Sequence, residues 1–100
     1  MLTEQELFDK VEDAIRAVLN TEEGQIRRES MFKADLNAES IDYLDISYEI
    51  EQRTGIELDF TEALTYLNET KGDDVMDISV QDLVDFIMLV TSKKNPESEN

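Results

Sequence analysis

The sequence contains no cysteine and no histidine. Without thiols there is no disulfide framework and no thiolate metal site, and a cytoplasmic location fits best. The commonest general base and the commonest strong nucleophile are therefore both missing, which argues against an independent enzyme with a catalytic set of its own. No apolar run approaches the roughly 18 residues that mark a membrane-spanning helix. The stretch from Met1 to Glu6 lacks the basic-then-apolar pattern of a secretory signal. Cations are scarce too. Nine Lys and Arg stand against 25 Asp and Glu, a formal net charge of -16.

That charge repels nucleic acid and anionic membranes, and it speeds encounter with basic protein surfaces. It is concentrated: from Asp35 to Glu62 there are nine carboxylates and a single cation, Arg53. An acidic helical chain invites comparison with calcium sensors. The required Asp-x-Asp-x-Asp-Gly loop with its closing Glu is absent, and the order of residues around Gly72 is wrong for it. No metal site is expected.

What is present is helical periodicity. One hundred residues suffice for one domain, and a 40% hydrophobic content supplies a modest core. Thr3 to Glu6 has the capping-box form, and Leu7, Phe8, Val11, Ala14, Ile15, Val18 and Leu19 follow as a helical stripe. The segment from Thr21 to Glu39 has no sustained period and reads as a long loop, pinned to the core by Ile26, Met31, Phe32 and Leu36. A second helix runs from Ser40 to a stop at Gly55. Phe60, Ala63, Leu64 and Leu67 mark a short third helix, followed by an acidic loop. Ser79 caps a fourth helix carrying Val80, Leu83, Val84, Ile87 and Val90. The expectation is an all-α four-helix bundle over residues 1–91, with a disordered C-terminal tail at 92–100.

The second helix has two apolar stripes where packing against a core needs only one. Taking Ser40 as zero and about 100° per residue, Ile41, Leu44 and Tyr48 fall near 40–100°, and Tyr43, Ile46 and Ile50 near 240–300°. Asp42, Asp45 and Glu49 fill the sector between. Either both stripes are buried, the loop covering the second, or one is exposed as a docking surface. Three such side chains would bury apolar surface worth on the order of a few kcal/mol in a partner. Ser40 by itself could be an ordinary helix cap.

Asp35-Leu36-Asn37-Ala38-Glu39-Ser40-Ile41-Asp42 resembles the signature of the acyl carrier protein family, usually written Asp-Leu-Gly-Ala-Asp-Ser-Leu-Asp. The following helix ends Thr54-Gly55-Ile56-Glu57-Leu58, similar in register to the family's Phe-Gly-Ile-Glu-Ile. The resemblance covers residues 3 to 90 and is specific over 35–58. It implies that Ser40 is esterified to 4′-phosphopantetheine, donated by coenzyme A under a phosphopantetheinyl transferase, and that the arm's thiol carries acyl groups as thioesters. It makes Ile41, Leu44 and Tyr48 the exposed recognition stripe, with Tyr43, Ile46 and Ile50 in the core. Glu39, Asp42, Asp45 and Glu49 become contacts for basic docking surfaces on acyl-processing enzymes. The expected carrier is a monomer, with no nucleic-acid partner and no stable membrane insertion.

Four departures from the family pattern bear on which carrier this is. Glu39 replaces Asp, Asn37 replaces Gly, and Tyr48 is bulkier than the usual aliphatic residue. The stretch between Leu58 and Val80 is roughly ten residues longer, which gives a longer third helix or a larger loop over the acyl pocket. These point to a specialised lipid pathway, whether lipopolysaccharide, fatty acid or polyketide in type. The alternatives are a peptidyl or aminoacyl carrier, which more often uses a Gly-Gly-x-Ser motif and is less acidic, and an unmodified interaction module with the same bundle.

Overall fold

The computed structural model describes residues 2–22, 24–72 and 75–94, without the side chains of 93 and 94. Its four helices are α1 (Glu4–Leu19), α2 (Ser40–Thr54), α3 (Phe60–Lys71) and α4 (Val80–Lys94). The all-α architecture, the long link between the first two helices and a third helix shorter than the rest are as the periodicity predicts. The last helix continues three residues beyond position 91, to Lys94. The rest of the expected tail, residues 95–100, lies outside the described residues.

Local chemistry sets the helix ends. The Thr3 hydroxyl accepts the Glu6 N–H at 3.1 Å and the Glu6 carboxylate accepts the Thr3 N–H at 2.8 Å. That reciprocal pair satisfies two otherwise orphaned donors of α1. Ser79 does the same for α4, its hydroxyl taking the Asp82 N–H at 2.9 Å. Asp59 caps α3 through the Thr61 N–H at 2.8 Å. Asn20 and Gly55 end α1 and α2 in the left-handed region, at φ 58° and 75°.

The core follows the stripes. Leu7, Phe8, Val11, Ala14 and Ile15 of α1 are buried, facing Ile46 and Ile50 of α2 and Val80, Leu83, Val84 and Ile87 of α4. Phe86 and Ile78, outside the predicted set, are buried as well. α1 packs on both α2 and α4, while α3 leans on α4 through Tyr66 and Phe86, whose ring centroids are 5.6 Å apart.

The long α1–α2 link is held by four fastenings. Ile26 and Phe32 sink into the core and Leu36 packs half-buried against it. Met31 contributes mainly through its backbone: its N–H donates to the Asp35 carboxylate at 2.7 Å, and it pairs with Ser79 in an isolated antiparallel bridge. Around that bridge Phe32 N–H meets Ile78 O and Val80 N–H meets Ser30 O, both at 2.9 Å. The Asp77 carboxylate then accepts three backbone N–H groups, from Lys33, Ala34 and Ile78, at 2.8–3.0 Å. Finally, Arg28 joins α1 to α4. Its guanidinium donates to Glu4 at 2.5 Å, to Gln81 at 2.8 Å and to Gln5 at 2.9 Å, and lies 4.3 Å from the centre of the Phe8 ring.

Candidate attachment site at the start of α2

The chain enters α2 through Asn37, a non-glycine residue in the left-handed region at φ 57°. Asn tolerates this conformation better than most residues, because its short polar side chain can bond locally. Asn37 thus holds a left-handed turn at the position where the signature has Gly. Ala38 N–H bonds Phe32 O at 2.8 Å, tying the turn back to the core.

Glu39 occupies the cap position in extended geometry, and its N–H donates to the Asp42 carboxylate at 2.9 Å. Ser40 is therefore the first residue inside the helix rather than its cap. It is exposed, and its hydroxyl has no hydrogen-bond partner among the described residues. The Asp42 and Tyr43 N–H groups both donate to Glu39 O. Those of Ser40 and Ile41 have no partner among the described residues, which leaves two donors at the positive end of a 15-residue helix. A free hydroxyl beside free amides suits a phosphodiester. Exposed Glu39 opposes it by repulsion.

The two stripes of α2 separate cleanly. Ile46 and Ile50 are wholly buried, whereas Ile41, Leu44 and Tyr48 are 66%, 73% and 59% exposed. Tyr43 is half-buried and closes an aromatic cluster, its ring 4.9 Å from Phe60 and 6.0 Å from Phe32, with Phe32 and Phe60 at 5.3 Å. Burial, followed by the negative charges of Asp77 and Asp42, raises the Tyr43 phenol above its ordinary pKa.

The four carboxylates around this face are not equivalent. Glu39 and Asp45 are exposed and in no ion pair among the described residues. Asp42 is half-buried and already accepts the Glu39 N–H. Glu49 is joined to Arg53 one turn on, at 2.5 Å.

Ser40 opens onto a cleft of about 610 Å³ between α2 and the start of α3. Tyr43, Leu44 and Ser47 form one wall, Leu58, Phe60 and Leu64 the other, and Lys33 stands at the loop end. Leu64 belongs to the predicted α3 stripe and is only half-buried because it faces this opening. Lys33 and Asp59 had no signal in the sequence. Both reach the cleft only through the fold of the links that carry them.

The chain is 32% identical over 57 residues to an acyl carrier protein of Lactobacillus johnsonii, a match spanning 57% of this chain and 71% of that one. The chain belongs to the acyl carrier protein family. A carrier from Guillardia theta is 33% identical over 57% of this chain and 70% of its own. One from Thermotoga maritima is 32% identical over 59% and 73%. No family model matches the chain, and no solved structure does.

Family membership makes the protein a carrier of acyl groups rather than an enzyme, and it implies a phosphopantetheine group, a transferase that installs it, and acyl-processing partners. Among the described residues no helix is long and apolar enough to cross a membrane.

Proposed function

We propose that Ser40 carries the 4′-phosphopantetheine arm, and that the protein presents thioester-bound acyl groups to the enzymes of a specialised lipid pathway. The observation that carries this is the division of labour at the start of α2. Glu39 and Asp42 satisfy the cap between them, which leaves the Ser40 hydroxyl exposed, unbonded and open to the α2–α3 cleft. A serine serving only as a cap would have its oxygen on a first-turn N–H. When bound, the arm supplies the thiol that a chain without cysteine lacks.

On the same reading, exposed Ile41, Leu44 and Tyr48 form the surface on which partners dock. Glu39 and Asp45, both exposed and in no ion pair among the described residues, would attract basic partner surfaces most directly. These charges set on-rate and orientation more than affinity. The specialised pathway is supported by the added length between Leu58 and Val80, which here forms a 12-residue α3 and a link fastened at Asp77 beside the cleft.

Incubation with coenzyme A and a broad-specificity transferase, followed by intact mass spectrometry, tests the attachment. The expected result is a gain of one phosphopantetheine that disappears in Ser40→Ala. No gain, or a gain that persists in Ser40→Ala, overturns it. Normal elongation by a housekeeping fatty acid synthase, with rescue of a strain lacking its own carrier, would overturn the specialised pathway.

A further inference from the structure

Between Asp35 and Glu62 the chain places nine carboxylates and one cation, and that cation, Arg53, is already paired with Glu49. The α2–α3 cleft has one basic side chain among the described residues that line it, Lys33. Its backbone is fixed, because the Lys33 N–H and the neighbouring Ala34 N–H both donate to the Asp77 carboxylate, at 2.9 and 3.0 Å. Its ammonium is exposed and makes no ion pair within 4 Å among the described residues. An unpaired lysine in so acidic a region stands out, since Coulomb attraction favours pairing wherever a carboxylate is in reach.

We infer that Lys33 is the counter-ion of the phosphodiester on Ser40, and that it holds the root of the arm against the α2–α3 cleft. This rests on the reading of Ser40 as the attachment point. A phosphodiester keeps one negative charge at neutral pH, and on Ser40 it stands next to exposed Glu39. The free amides of Ser40 and Ile41 offset part of that repulsion. Lys33, which lines the same cleft as Ser40, supplies a full positive charge on a flexible stem that can follow the phosphate as the arm moves. Lys33 is thus a positioning residue for the arm. It touches neither the thiol nor the acyl group.

The experiment compares wild-type, Lys33→Gln and Lys33→Arg proteins, each with and without the arm. Intact mass, with Ser40→Ala as the control, first establishes that the arm is on Ser40; its absence there overturns both this assignment and the reading beneath it. With the arm present, phosphorus NMR at low salt is expected to shift the phosphodiester resonance in Lys33→Gln and to leave it near wild type in Lys33→Arg. The difference should shrink as salt rises. Loading should lower the melting temperature by roughly 1–4 °C more in Lys33→Gln than in wild type, the size expected for one exposed ion pair in a domain of this length. A merely structural lysine would change the loaded and unloaded forms equally. An arm on Ser40 with an unmoved resonance and equal melting shifts overturns the role of Lys33 alone.

Discussion

The Asp42 carboxylate accepts the Glu39 N–H at 2.9 Å across the start of α2, where Glu39 and not Ser40 takes the cap position. That bond gives Asp42 a structural duty alongside any electrostatic one. Substitutions there must be chosen to tell the two apart.

Asp42→Ala removes the acceptor and should lower stability by about 0.5–2 kcal/mol, the usual range for a lost helix cap. Asp42→Asn keeps an oxygen for the Glu39 N–H and should lose much less. Asp45 is exposed and in no ion pair, so Asp45→Lys should leave the fold intact. It should slow transferase modification by about three- to tenfold at low salt, with the loss fading at high salt. Unfolding curves and modification rates at two salt concentrations check both. An unchanged low-salt rate in Asp45→Lys would remove Asp45 from the docking surface.

Leu44 is the most exposed residue of the outer stripe. Leu44→Ala should therefore change folding stability by less than about 0.5 kcal/mol, as for an ordinary surface site. A partner that buries the side chain should bind about tenfold more weakly. Ile46→Ala, in the wholly buried stripe, should do the reverse: a loss of about 2–5 kcal/mol of stability through the cavity it leaves. Equal stability losses in the two variants would contradict the assignment of faces.

Asn37 holds φ 57° at the turn into α2. Asn37→Ala should destabilise by about 1 kcal/mol, because a Cβ without a local polar partner is strained in this region. Asn37→Gly removes the strain but adds unfolded-state freedom, so its net effect should be smaller. Denaturant midpoints with unchanged slopes would establish both as stability effects.

Tyr43 provides a pH test. Its phenol is raised by burial and by Asp77 and Asp42, so the folded state holds that proton more tightly than the unfolded chain. The resulting contribution is fully present below the unfolded value of about 10 and is lost as pH rises through the higher folded value. Tyr43→Phe keeps the ring in its cluster and removes the titration. Its stability should therefore fall less steeply than wild type on raising the pH through that window. Parallel pH profiles would contradict the shift.

Much of this protein was legible in its sequence. The stripe from Leu7 to Ile15, the Thr3–Glu6 and Ser79–Asp82 caps and the glycine after Thr54 are local signals, each spanning a few helical turns or less. The motif from Asp35 to Asp42 pointed to Ser40 for the same reason, since its meaning lies in residues that are consecutive. Other features join segments far apart in the chain. Arg28 links Gln5 to Gln81, and Asp77 reaches back to Lys33 and Ala34. No period or short spacing encodes those contacts.

The sequence alone determined that α2 has two apolar faces and a serine at its start, because a helix of this pattern must place them so. Only the tertiary structure decided which face is buried, that Glu39 and not Ser40 takes the cap, and that Lys33 stands in the cleft beside it. Those outcomes depend on where α1, α3 and the two fastened links lie around α2. A single helix cannot choose the side from which its neighbours exclude water.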